Sequence, residues 1–344
     1  MHAAVFLGPR ALRIETVPDP VCGRGDVKLK VLACGICGTD VHLYERRQFV
    51  GPISIGGHEV CGEAIEVGPE VGGISVGDRC VLAPAVGCGR CRYCVAGRQN
   101  LCPDLRVFGA DFPGGFAQEM LIPGAAVRRG CLFTVPASLD ARTATLVEPL
   151  ACVLHAQGFL DILPDDVVVV AGAGPTGCMH ARLAQMLGAS VILADVSAKR
   201  LVLARRFGFD LYVDPAEVDL AEVVMSRTGG RGADVAVLAC SSARAQEDAV
   251  RYIASGGRVS LFGYLPEESP VAALDTNALH RKEAAVFGAM GSTPCDFPRS
   301  IALVADPSFE ASGLVTDSFP LGDIARAFEY ACRAEGLKVV VLPN

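Results

Sequence analysis

Val167-Val168-Val169-Val170-Ala171-Gly172-Ala173-Gly174-Pro175-Thr176-Gly177 is the stretch on which the fold turns. Five apolar residues, four of them β-branched, suit a strand buried on both faces, as strands of a parallel sheet are. The spacing Gly-x-Gly-x-x-Gly follows at once, and Met179, Leu183 and Leu187 then recur with a helical period. The motif alone is weak, but here it has its required context, after a strand and opening a helix. The first two glycines permit a tight turn and close approach to a pyrophosphate, and the third lets the helix pack on the strand. The helix N-terminus offers amide hydrogens and the positive end of its dipole to phosphates. Gly172, Gly174, Pro175, Thr176 and Gly177 are therefore candidate cofactor-binding residues.

Downstream, apolar runs at 191–194, 211–213, 235–239 and 259–262 alternate with helical patterns near 201–207, 218–226 and 243–254. That alternation predicts a doubly wound parallel sheet covered on both faces. Asp195 ends the second strand, where an acid accepts hydrogen bonds from an adenosine ribose and repels a 2′-phosphate, so NAD is expected over NADP. Ser197 serves better than Asp195 as the N-cap of the next helix.

Upstream, the first 150 or so residues are rich in Gly and Pro, with short apolar runs at 27–32, 64–67 and 79–82, and read as mostly β. After about residue 290 come helical stretches near 298–304 and 324–332 and a last strand at 338–342. That tail is too short for a domain and is expected to pack back on the N-terminal part. There is no internal repeat and no low-complexity linker.

The chain has 344 residues, 51% of them apolar and 20% charged, enough for about two packed domains and unlike a disordered chain. A net charge of −7 with scattered basic doublets argues against a nucleic-acid surface. No run approaches the roughly 18 apolar residues a membrane helix needs, and Met1 to Arg10 does not read as a signal peptide. A soluble, cytoplasmic protein without nucleic-acid or membrane partners is expected.

Fifteen cysteines, an odd number, disfavour a disulfide framework in that setting. Cys22, Cys131, Cys240 and Cys332 are expected to act as small hydrophobes. Cys88, Cys91, Cys94 and Cys102 differ, because four thiolates this close can enclose one tetrahedral zinc with no position left for substrate, which marks a structural site. A second, dispersed set comprises Cys37, His58, Glu59 and Glu148. A thiolate, an imidazole and a carboxylate suit a catalytic zinc with one vacant position, although each residue alone is a weak signal.

Gly57-His58-Glu59 with Gly62, Gly68 and Val71, the Cys-Gly-Thr-Asp-x-His pattern at 37–42, and the cysteine spacing together resemble the zinc-containing medium-chain alcohol dehydrogenases. The resemblance runs over essentially the whole chain in the same order. It implies an α/β protein with two domains. One is a GroES-like, mostly-β catalytic domain, 1–152 with 290–344, carrying a structural zinc lobe at 86–103. The other is a Rossmann doubly wound parallel-sheet domain at 153–289. Cys37 and His58 then look like zinc ligands. In the sorbitol (polyol) and threonine dehydrogenase branches the counterpart of Glu59 is commonly a ligand, while that of Glu148 binds directly or through water. Which acid binds directly stays open. Liver-type enzymes carry Cys where this chain has Glu148, which points to the polyol branch. The pattern uses Cys37 and not Cys34, with a Cys-x-x-Cys redox pair as the rival reading. Arg200, five positions past Asp195, matches a basic residue that lies against the ribose in NAD-dependent relatives.

The implied activity is reversible hydride transfer between NAD and a secondary alcohol of a polyol, sugar or cyclitol-like substrate, with two zinc ions per subunit of a homodimer or homotetramer. Thr39 is expected to hydrogen-bond the substrate oxygen and pass its proton toward the nicotinamide ribose and His42, whereas His155 is expected to be structural. Alternatives are an L-threonine 3-dehydrogenase-like enzyme, with Arg46 or Arg47 on the carboxylate, and an amino- or phospho-sugar alcohol dehydrogenase. A zinc-free quinone-reductase-like or non-catalytic dinucleotide-binding protein is the reading from another class. Cys37, His58 and the cysteine lobe speak against it.

Overall fold

The structure is a computed structural model describing residues 1–46 and 54–344; of Arg46 only the backbone is described. Two compact units emerge, one formed by Met1–Cys152 with Gly291–Asn344 and the other by Val153–Met290.

The first unit is built on a mostly antiparallel sheet. Val27–Gly35 is its axis, flanked on one edge by Glu59–Val67 and on the other by Glu119–Ile122 and the C-terminal strand Lys338–Leu342. Val27, Leu29, Val31 and Ala33 alternate with less buried residues along the axis, the period-two pattern of a strand with one face in the core. At its end Gly35 stands opposite Glu59 on one side and Val340 on the other. The tail thus docks on the N-terminal sheet beside the strand ends that hold Cys34, Gly35 and Glu59.

In the second unit, the described residues form a six-stranded parallel sheet. Its spatial order is Leu211–Val213, Ser190–Ala194, Val167–Ala171, Ala233–Leu238, Ile253–Leu261 and Ala285–Gly288. The chain builds outward from Val167–Ala171 in one direction and then, from Ala233–Leu238, in the other. That reversal makes the crevice at the carboxyl ends of these two strands the place for a ligand. Val168, Val169 and Val170 are wholly buried, as a run apolar on both faces requires.

One expected boundary moves. The helix predicted over 243–254 ends at Tyr252, and the next strand starts at Ile253 instead of 259. Gly256-Gly257 forms a kink in the sheet, where the pairing jumps from Ala233–Ile253 to Val235–Arg258. Lys282 closes the helix by donating to the carbonyls of Val250 and Ile253.

The helix Pro175–Met186 buries His180 completely. Its Nδ1 lies 3.2 Å from Gln157 Nε2, and its ring meets Phe262 edge-on at 4.6 Å. Burial pulls its pKa down to about 3. The folded state therefore binds fewer protons than the unfolded chain between that value and the ordinary histidine range, and stability falls as pH drops through this window. At pH 5 the loss amounts to about 2 kcal/mol. His180→Leu should flatten the fall of Tm between pH 7 and pH 5; an unchanged slope in calorimetry would contradict the assignment.

Candidate metal centre and cofactor site

Cys37 and His58 come from loops that follow and precede neighbouring strands, and Glu59 opens the strand Glu59–Val67. Among the described residues, donor atoms of Cys37, His58 and Glu59 all lie within 4.8 Å of one another, and Glu148 is not in that group. Asp40, in the first turn of the helix Gly38–Arg46, is buried and ties the loops together. It accepts from the amides of Cys37 at 2.9 Å and Gly57 at 3.2 Å. His58 Nδ1 lies 3.7 Å from Asp40 Oδ1, beyond hydrogen-bond reach but close enough for an ion pair.

Glu59 is wholly buried, and so, nearly, is its partner Lys338. Lys338 Nζ donates to both Glu59 carboxylate oxygens at 2.6 Å and to the carbonyl of Ile36 at 3.2 Å. Gly35 makes the contact possible: a Cβ there would come within 2.0 Å of Glu59 Oε2. Glu148 sits in the first turn of the helix Val147–Gln157 and accepts a hydrogen bond from the Cys152 thiol at 3.4 Å. Burial raises its pKa to about 7, with Glu59 adding and His58 opposing. For His58, burial disfavours the cation, but Asp40 and Cys37 outweigh it and raise the pKa well above the usual value. The acids gathered here make a field in which a positive charge is stabilised, as the rise at His58 reports. Cysteine, histidine and carboxylate donors in that field fit a zinc ion.

Thr39 and His42 are three positions apart on the helix Gly38–Arg46, on one face, with Thr39 exposed and His42 half-buried. Cys34 is excluded from the cluster, its thiol packed toward Gly57 and Gly115 and driven up in pKa by burial. Arg47, one of the two proposed carboxylate binders, lies outside the described residues, as does the side chain of Arg46.

Cys88, Cys91, Cys94 and Cys102 also bring their sulfurs within 4.8 Å of one another. The short strands Ala85–Val86 and Arg106–Val107 pair at the base of the lobe, and Arg129 donates to the Cys88 carbonyl at 2.8 Å. The amides of Arg90 and Cys91 pull the Cys88 thiol down in pKa, while desolvation pushes Cys94 up. Four clustered thiols cannot all ionise unaided, and a zinc ion would supply the missing charge. All fifteen cysteines are free thiols, and Cys131 is buried as expected of a small hydrophobe, while Cys22, Cys240 and Cys332 are only partly so.

In the second unit Gly174 caps the helix Pro175–Met186, with Pro175, Thr176 and Gly177 in its first turn. Asp195 accepts from the amides of Ala173 at 2.6 Å and Ser197 at 2.7 Å, and Ser197 caps the next helix. Arg200 reaches toward Gly174, with its Nε buried and unpartnered. A cavity of about 690 Å³ opens beside the loop, lined in part by Gly172, Asp195, Val196, Val218, Cys240 and Ser242. His155 packs edge-on against Phe159.

Residues 23–130 match the alcohol dehydrogenase GroES-like domain family, and residues 175–306 match the zinc-binding dehydrogenase family. Sorbitol dehydrogenase of Halalkalibacterium halodurans is 34% identical over 96% of this chain and 95% of its own length. This chain belongs to the zinc-dependent medium-chain alcohol dehydrogenases. L-threonine 3-dehydrogenase of Legionella pneumophila is 30% identical over 95% of each chain. A solved zinc-binding dehydrogenase from Sinorhizobium meliloti 1021, bound to NADP, superposes with a TM-score of 0.92 at 31% identity, covering 99% of both chains. The medium-chain dehydrogenase is thus an oxidoreductase acting on a CH–OH group with zinc and a nicotinamide dinucleotide.

Sequence reading of this dehydrogenase named neither Asp40 nor Lys338. Asp40 stood inside the Cys-Gly-Thr-Asp-x-His pattern, which was signal enough. For Lys338 the signal was slight, a lysine opening an otherwise apolar strand.

Two substitutions probe these sites. A Cβ on Gly177 would fall 1.7 Å from the carbonyl oxygen of Gly172. Gly177→Ala should cost about 1–3 kcal/mol of stability and weaken dinucleotide binding at least tenfold by fluorescence titration; wild-type affinity would refute the close packing. Cys91→Ser should lower Tm by several degrees. Chelator should lower wild type likewise and the variant no further at this transition, and an equal chelator response in both would deny the lobe its metal.

Proposed function

We propose that this enzyme oxidises, reversibly, a secondary alcohol of a polyol, sugar or cyclitol-like substrate with NAD. The convergence of Cys37, His58 and Glu59 donor atoms within 4.8 Å carries the proposal. The unit of Met1–Cys152 and Gly291–Asn344 serves as the catalytic part and that of Val153–Met290 as the dinucleotide-binding part. Cys37, His58 and Glu59 hold the catalytic zinc, and Glu148 stands by as the alternative acid. Cys88, Cys91, Cys94 and Cys102 hold the structural zinc.

When bound, zinc supplies the Lewis acidity that lets an alcohol hydroxyl ionise near neutral pH, and NAD supplies the hydride acceptor. Asp40 lies beside His58, close enough for an ion pair. The Thr39 hydroxyl accepts the substrate's hydroxyl proton and hands one on toward His42, one turn along the same helix. Gly172, Gly174, Pro175, Thr176 and Gly177 cradle the pyrophosphate. Asp195, with Arg200 beside it, receives the adenosine ribose, and its charge favours NAD over NADP. The NADP-bound relative makes that preference worth measuring directly.

The polyol reading draws on the sorbitol dehydrogenase relative and on Glu148 in its Glu-Pro-Leu setting. The threonine dehydrogenase relative supports a second reading, oxidation of a β-hydroxy amino acid. No helix of the described residues is long and apolar enough to cross a membrane, in keeping with a cytoplasmic enzyme. Among the described residues strand Ala285–Gly288 ends its sheet, and its backbone edge is suited to pairing with a second copy in a homodimer or homotetramer.

Cys37→Ser and His58→Ala should each abolish turnover while leaving the fold intact, and Cys37→Ser should reduce bound zinc from about two ions per chain to about one. Full activity in either variant would overturn the zinc assignment. A panel of polyols, sugars and L-threonine followed by NADH formation separates the two substrate readings, and preference for L-threonine would displace the first.

A further inference from the structure

The register of the sheet puts Val340, Gly35 and Glu59 side by side across three strands. Lys338 lies two positions before Val340 and so projects from the same face. Gly35 contributes no side chain between them, and the ammonium spans the gap to both oxygens of Glu59. A buried lysine loses its hydration, and among the described residues it regains one carbonyl, Ile36, and one carboxylate, Glu59. Replacing such a pair by apolar residues is often neutral or stabilising, so stability alone is a weak reason for it.

The charge on the metal gives a stronger reason. A dication held by one thiolate and one carboxylate would be electrically neutral, and each negative charge beside the metal weakens its pull on an alcohol oxygen. Asp40, buried alongside, adds a further acid to the cluster. Resting on the zinc reading above, we infer that Lys338 is a positioning residue for the reaction. It fixes the Glu59 carboxylate toward Cys37 and His58 and cancels its charge, so that zinc on these residues retains a net positive charge. The ammonium thereby trades metal affinity for Lewis acidity.

The test compares zinc affinity, by competition with a chromophoric chelator, and steady-state kinetics in Lys338→Met. Zinc should bind at least tenfold more tightly, because a nearby positive charge is gone. The kcat should fall at least tenfold, with KM changed less than about threefold. Zinc affinity or kcat equal to wild type, or weaker zinc binding, would overturn the inference. Should the unpaired Glu59 prevent folding, Lys338→Met is added to Glu59→Gln, which leaves no buried charge in the pair. The double variant should fold and bind zinc at least tenfold more tightly than Glu59→Gln alone; equal affinities would reject the role of the charge. Cys37→Ser is run alongside. If it retains both zinc ions, the zinc reading itself fails, whatever Lys338 does.

Discussion

A buried acid needs a positive partner, and the strand ends around Glu59 are arranged to supply one. Cys37, Asp40, Glu59 and Glu148 converge from three separate stretches of chain, and burying them without compensating charge would cost several kcal/mol each. Lys338 answers one of them permanently. The remainder invite a cation, and the raised pKa of His58 reports that field from within. A glycine at position 35 is what allows the arrangement: the sheet must bring three strands together at a point where the middle one has no side chain.

What could be read in advance follows the distance between interacting residues. Cys88, Cys91, Cys94 and Cys102 lie within one short loop, so spacing alone announces a closed site. The glycine loop at 172–177 is likewise local, and the strand before it and the helix after it are visible in the same window. Glu59 and Glu148 could not be ranked from sequence, because ligation depends on a distance that only the sheet register and the helix Val147–Gln157 set. Lys338 is 279 positions from Glu59, and nothing in either neighbourhood discloses that the two strands share a partner. The strand start at Ile253 was missed for a different reason. Gly256-Gly257 has the local chemistry of a turn, and only cross-strand pairing makes it a kink.

The two halves of the molecule solve one problem in one way. In the first, Asp40 belongs to the Cys37 loop and accepts the amide of Gly57, next to His58, 17 positions away. In the second, Asp195 follows the strand Ser190–Ala194 and accepts the amide of Ala173 in the glycine loop, 22 positions back. Each acid sits in one half of a site and ties down the backbone of the other half. A backbone amide held by a carboxylate is a charge-assisted bond, stronger than the neutral bonds of the surrounding ladders. It fixes a loop before any ligand arrives, so ordering that loop is no longer charged against binding. Both carboxylates keep lone pairs to spare. That leaves Asp40 placed beside His58 and, on the proposed reading, Asp195 free to meet a ribose, so that one negative charge would serve assembly and recognition together.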